Sequence, residues 1–257
     1  MIKFEINIQA LLAMLHIAAK DDIRYYLNGI FITTEYEGFV RYVATNGHLM
    51  GVYRDKIMTE EKPAATNLII NRDVLKSVKL QKYTNYGTLT IEDAVVEGEI
   101  KKPRKCTLEY AGMSIGFVEV DGKFPDYMRV LPVTASGETA QFNTALLMNF
   151  VKVGEVFLGK KKEVVPYVAH NGKETSAVMI PGLPDFIGAI MPFRIDSIGI
   201  PAWIRKEAAE ISLAATRKWL ADLELKPEIY GDMITENKAK VQVLEAVLTI
   251  ANAELCA

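Results

Sequence analysis

Cysteine is almost missing from this sequence. Its 257 residues include only Cys106 and Cys256, with no CxxC spacing. That excludes a disulfide framework and a thiolate metal site, and it leads us to expect two free thiols in a reducing, cytoplasmic compartment. Histidine is scarce too. His16, His48 and His170 form no HExxH motif and no i,i+4 pair, so no metal and no cofactor is expected. Nothing approaches the ~20 uninterrupted apolar residues of a bilayer span. The start, Met1-Ile2-Lys3-Phe4-Glu5, lacks the apolar core of a signal peptide, and no membrane partner is expected. A charge excess is also lacking. Lys plus Arg is 30 against 32 Asp plus Glu, a net charge of −2. An overall basic footprint for nucleic acid is therefore absent, although charge segregated by face leaves such binding open. GxSxG, GxxxxGK[ST] and GxGxxG do not occur. Asp21, Asp22 and Asp121 read as solvated surface carboxylates. No catalytic residue is assigned, and a non-enzymatic binding or scaffolding role is favoured.

What is present is ordinary globular material, 50% hydrophobic and 24% charged. Residues 1–195 are rich in Val, Ile, Tyr, Phe and Thr with Gly-containing turns, which reads as α+β. Residues 196–257 are rich in Ala, Leu, Glu and Lys, which reads as helical. This tail holds 7 Lys or Arg against 10 Asp or Glu, and the remainder holds 23 against 22.

A βαβββ-like pattern of about sixty residues occurs three times, matching in pattern and not in letters. The first copy has a strand at Lys3–Asn7, a helix over Ile8–Lys20, a strand over Arg24–Thr34 and an extended run over Phe39–Tyr53. The second has a strand at Leu68–Ile70, Asn71 as N-cap, a helix over Arg72–Leu80 and strands around Gly87–Ile91, Ala94–Ile100, Cys106–Tyr110 and Met113–Val120. The third has a strand at Ala140–Phe142, a helix over Thr144–Phe157 and strands at Lys162–Ala169, Ser176–Ile180 and Phe186–Phe193. The tail predicts a helix over Ala202–Leu223 with a stripe of Ile204, Ala208, Ile211, Ala215 and Leu220. After a break at Pro227, a second helix over Thr235–Leu255 completes an antiparallel hairpin. The division expected is 1–132 (two units), 133–196 (the third unit) and 197–257 (a helical extension).

Basic residues cluster at Lys101–Lys105, at Lys160–Lys162, and at Arg72, Lys76, Lys79 and Lys82. The last four recur at three- and four-residue steps and are expected to share one face of the second helix. Each cluster alone reads as solvated surface. Together they suit helices that present positive charge to a phosphate backbone. Tyr25 and Tyr26, beside Arg24, read first as core.

Three segments carry a resemblance. Asp22-Ile23-Arg24-Tyr25-Tyr26-Leu27-Asn28-Gly29-Ile30 with Val43-Ala44-Thr45-Asn46-Gly47-His48 is the first. Asp121-Gly122-Lys123-Phe124-Pro125-Asp126-Tyr127-Met128-Arg129-Val130-Leu131-Pro132 is the second, and Ala189-Ile190-Met191-Pro192-Phe193-Arg194-Ile195 the third. In order and spacing they resemble the bacterial replicative sliding clamp, the beta subunit of DNA polymerase III, over roughly residues 1–195. The resemblance implies the α+β DNA-clamp fold built of βαβββ repeats, here with a C-terminal helical hairpin. The three segments of that family meet at an apolar pocket for a short linear peptide of polymerases and repair proteins. The resemblance thus implies Leu27, Thr45, Gly47, His48, Met50, Pro125, Arg129, Val130, Ile190, Met191, Pro192, Phe193 and Arg194 as pocket walls, with Met suited to varied partners. It also implies a homo-oligomer that binds duplex DNA without reading sequence, facing it with Arg24, Tyr25, Tyr26, Arg72, Lys76, Lys79, Lys82 and Lys152. Two departures stand out. Leu49 replaces the family's Arg after the His, and Asn46 replaces its Asp. Three units stand where the family chain has six. The competing expectation is a peptide-binding protein that closes no ring.

Overall fold

The computed structural model describes residues 1–36, 38–57, 63–82, 84–97, 100–159, 162–194 and 199–256. Lys160, Lys161 and Ile195, and the expected boundary between Asp196 and Ser197, lie outside the described residues. The chain divides into two compact units, Met1–Arg194 and Ile195–Ala257.

Strand β1 (Ile2–Asn7) alternates, turning Phe4 and Ile6 inward. Asn7 then caps α1 (Ile8–Met14), its side-chain oxygen accepting from the Ala10 amide at 3.0 Å. The helix expected to reach Lys20 ends sooner. Past Met14 the backbone tightens into turns in which the His16 and Ile17 amides reach carbonyls only three residues back. Of the strand expected over Arg24–Thr34, Tyr25–Leu27 is instead a 3-10 turn and only β2 (Gly29–Thr33) is extended. The single run expected over Phe39–Tyr53 is a hairpin, β3 (Phe39–Thr45) and β4 (Leu49–Lys56), folded at Asn46-Gly47-His48.

After β5 (Asn67–Asn71), Asn71 caps α2 as expected, but α2 (Arg72–Leu75) is a single turn. Beyond it the bonds again span three residues, from the Lys76 amide to Asp73 and from Val78 to Leu75. The basic helical face expected over Arg72–Lys82 therefore does not form. Strands β6 (Tyr86–Ile91), β7 (Val96–Glu97), β8 (Ile100–Lys101), β9 (Lys105–Tyr110) and β10 (Met113–Val118) follow. The expected strand at Ala140–Phe142 is coil, tied down by the Phe193 amide donating to the Gln141 carbonyl at 2.7 Å. Then come α3 (Thr144–Leu158), β11 (Tyr167–Ala169), β12 (Ser176–Met179) and β13 (Phe186–Ile190).

The sheets exchange strands. Strand β1 pairs with β6 in the order β1-β6-β9-β10, while β5 pairs with β2 in the order β11-β12-β13-β4-β3-β2-β5. The first strand of each of the first two repeats thus completes the other's sheet. Strands of the third repeat join the first repeat's sheet through β13 and β4. Between the layers lies the main core, with Ile6, Leu11, Met14, Tyr42, Leu108 and Phe150 buried. Gly188 in β13 gives Phe150 its seat, because a Cβ there would stand 2.4 Å from the ring.

The second unit is α4 (Ala202–Leu223) and α5 (Pro227–Leu255). Pro227 opens α5 rather than only ending α4, as suits a residue without an amide hydrogen in the first helical turn. The helices are antiparallel, joined by ion pairs Arg205–Glu254, Arg217–Glu245 and Lys238–Glu224. Ala209, Leu213, Thr216 and Leu223 are buried on α4, and Ile234, Asn237 and Ala251 on α5, at the three- and four-residue steps of a coiled-coil seam. The stripe expected on α4, from Ile204 through Ala215, is exposed instead. Among the described residues no helix is long and apolar enough to cross a membrane.

Candidate functional site

A cleft of about 650 Å³ opens on the face of the seven-stranded sheet away from the main core. Its first wall is the β3–β4 turn. Asn46 Oδ1 accepts from the His48 and Leu49 amides at 2.9 and 3.0 Å, while Thr45 Oγ1 donates to the Leu49 carbonyl at 2.8 Å. These side chains replace the ladder at the turn. Gly47 sits at φ +88°, and a Cβ there would stand 2.8 Å from the Arg24 guanidinium. Arg24 itself is clamped by Asp22 at 2.8 and 3.0 Å. That hydrogen-bonded pairing pulls the Asp22 carboxyl down to about 2.

The second wall is the segment 120–134. The Val120 amide bonds the Ile69 carbonyl of β5, and the Tyr25 hydroxyl donates to the Asp121 carbonyl at 2.8 Å. Phe124 and Tyr127 are the anchors. Phe124 stacks on Phe31 of β2 with centroids 4.9 Å apart, and the Tyr127 hydroxyl accepts from Arg41 at 3.3 Å. Burial, then its contact with Tyr36, pushes the Tyr127 phenol up to about 12. With both rings buried beside Leu27 and Met50, the exposed Pro125, Arg129 and Val130 are held at the cleft.

The third wall comes from β13 and the β11–β12 loop. Ile190 faces Leu49 in the ladder, and the Met191 amide donates to the His48 carbonyl at 2.9 Å. This bond fixes Met191 against the turn. Asn171, Glu174 and Thr175 close the far rim.

Of the expected walls, Leu27, Thr45, Gly47, His48, Met50, Pro125, Arg129, Val130 and Met191 line this one cleft. Ile190 does not. Side chains alternate along a strand, so Ala189 and Met191 turn to the cleft and Ile190 is buried in the opposite core. Pro192, Phe193 and Arg194 run past the end of β13 and are not among the lining residues. Sequence reasoning missed Glu174, Asn171 and Thr175, whose loop carries no motif. It also gave Arg24 to DNA, and Arg24 lines the cleft.

The expected DNA-facing set is scattered. Tyr25 and Tyr26 meet edge to face at 5.7 Å, and Tyr25 holds the Asp121 segment. Arg72 turns inward and donates to the Ala18 and Ala19 carbonyls. Lys76 pairs with Asp73 at 2.6 Å. Lys79 and Lys82 are exposed beyond α2. Lys152 is exposed on α3, and its charge, with that of Lys20, helps to lower the pKa of His16, after burial as the larger cause.

Two antiparallel sheets with exchanged first strands, and a cleft between a hairpin turn, a linker and a terminal strand, define an α+β fold of the sliding-clamp type. Solved clamps superpose on it: that of Pseudomonas aeruginosa has a TM-score of 0.53 at 17% identity, covering 76% of this chain and 66% of that one. The DNA polymerase III beta subunit of Borrelia burgdorferi also scores 0.53, at 14% identity, covering 76% and 64%. No protein-family model matches the chain. Curated beta sliding clamps are similar in sequence. That of Escherichia coli K12 is 28% identical over 160 residues, 62% of this chain and 40% of the relative. That of Caulobacter vibrioides NA1000 is 28% identical over 115 residues, 44% and 28%. The chain is a distant homologue of the bacterial beta sliding clamp, and the match spans less than half the length of these curated relatives.

Proposed function

We propose that the chain is a non-enzymatic replication accessory protein whose cleft takes a short linear peptide of a polymerase or repair protein. The observation that carries this reading is the convergence of three sequence-distant segments on one cleft, with Leu27, Met50 and Met191 as apolar floor and Arg24, His48 and Arg129 as donors at its rim. An apolar cleft with a few placed polar groups suits anchored side chains of an extended peptide. Duplex DNA, in this reading, is met through backbone phosphates only, on the side of Lys20 and Lys152 rather than along α2, by a homo-oligomer in the cytoplasm.

Fluorescence polarisation with a labelled peptide bearing a clamp-binding motif tests the cleft. Saturable binding is expected, weakened about tenfold or more by Met191→Glu, since a charge would be desolvated on docking. Met148→Ala, exposed on α3, should leave it unchanged. A titration that never saturates, or that ignores Met191→Glu, overturns the reading.

A further inference from the structure

The hairpin of α4 and α5 has two unlike flanks. Arg217, Glu224 and Lys238 each immediately follow a seam residue and Glu245 follows half-buried Leu244, so the pairs Arg217–Glu245 and Lys238–Glu224 make that flank ionic. On the other flank stand residues that immediately precede the seam. Trp219, Val243 and Ile250 are 48%, 63% and 53% exposed there, and Val247, between the last two, is half-buried. The ion pairs set Trp219 at the level of Val243, with Val247 and Ile250 following along α5, so this flank carries an apolar strip. Ala208 and Ala215 on α4 leave room for close approach of another helix. Such a stripe is the pattern of a helical face that packs on a second layer.

We propose that this flank joins a second copy of the same chain, two hairpins making a four-helix bundle. Charge placement selects that occupant. Arg205 and Glu254 close one end of the strip, and the exposed Asp222 and Lys240 close the other. Asp222 and Lys240 make no ion pair among the described residues. A two-fold axis lying in the interface and crossing the helices near Ala215 sets Arg205 against Asp222 of the second copy, and Glu254 against its Lys240. Self-complementarity of this kind is what an isologous contact requires. The extent fits as well. Helices of about 33 Å, side by side over ~20 Å, offer roughly 650 Å² per copy, near the ~800 Å² per partner of a standard interface.

Sedimentation equilibrium of the full chain at micromolar concentration is the test. The wild type is expected at twice the chain mass or a multiple of it. Trp219→Glu with Val243→Glu should halve that mass while the far-ultraviolet helical signal stays. Asp222→Lys and Lys240→Glu, both at exposed positions, should each weaken association about tenfold, and they decide the matter if the double variant loses its helical signal. A monomeric wild type, or a mass indifferent to these variants, overturns the proposal. Neither result touches peptide binding in the cleft, which is read separately by polarisation.

Discussion

At the scale of residues, the cleft depends on a few positions outside its apolar floor. Gly47→Ala forces a left-handed backbone on a residue with a Cβ and drives that Cβ into the Arg24 guanidinium. A loss of about 1–2 kcal/mol in urea denaturation is expected. Arg104 is a second such residue. Its guanidinium grips Glu119 at 2.6 and 2.8 Å and donates to Thr66 Oγ1 and the Asn67 carbonyl, tying the start of the linker to β5. Both side chains of this pair are largely buried, so Arg104→Met should cost about 2–4 kcal/mol by chemical denaturation and loosen the second wall. His16 supplies a pH signature. Burial and then the Lys152 charge hold its pKa below the ordinary 6.5, so the unfolded chain takes up the proton more readily. Stability is thus complete above the ordinary value and declines as pH falls through it towards the folded value. In Lys152→Gln the titration of the His16 ring, followed by NMR, should move upward. Sequence already named Gly47, His48 and Met191 through motif, but Arg104 stood in an anonymous basic run. Its role comes from Glu119 folding back beside it, and spacing along the chain does not display that.

Elements were legible where their signal was local. The expected N-cap Asn71 accepts from the Asp73 amide, and α3 falls within a residue of its expected end. Elements were misjudged where tertiary contact decided. Arg72 turns inward to the Ala18 and Ala19 carbonyls, and the backbone past Leu75 goes over to three-residue bonds, so α2 stops after one turn. On α4 two apolar stripes compete, and hydropathy favoured the one carrying Ile204 and Ile211. The antiparallel seam instead buries Ala209, Leu213 and Thr216, a set that includes a hydroxyl satisfied by the Ser212 carbonyl at 2.7 Å. Leu213→Ala removes the largest side chain in the middle of that seam. A loss of about 2–4 kcal/mol, read as a lower melting temperature of the helical signal, is expected.

At the scale of the whole molecule, the clamp resemblance carried fold class and most of the cleft, because its three segments are the parts that meet. Strand exchange between the two sheets was not legible, since β1 and β5 look alike in pattern and either sheet would satisfy them. Charge bookkeeping misled at this scale too. Basic residues grouped in sequence at 72–82 share no helical face, while Lys20 and Lys152, far apart in sequence, both act on His16. If duplex DNA is bound there, affinity measured by electrophoretic shift should fall steeply between ~50 and ~200 mM salt and differ little between sequences. Lys152→Gln should lower the salt slope by about one.

The bond from the Met191 amide to the His48 carbonyl joins parts of the body made early and late during synthesis. Pairings so distant along a chain generally form more slowly than local hairpins such as β3–β4. Until β13 docks on β4, the floor at Met50 has no third wall. The cleft is therefore complete only when residues 45–50 and 189–191, far apart in sequence, have met.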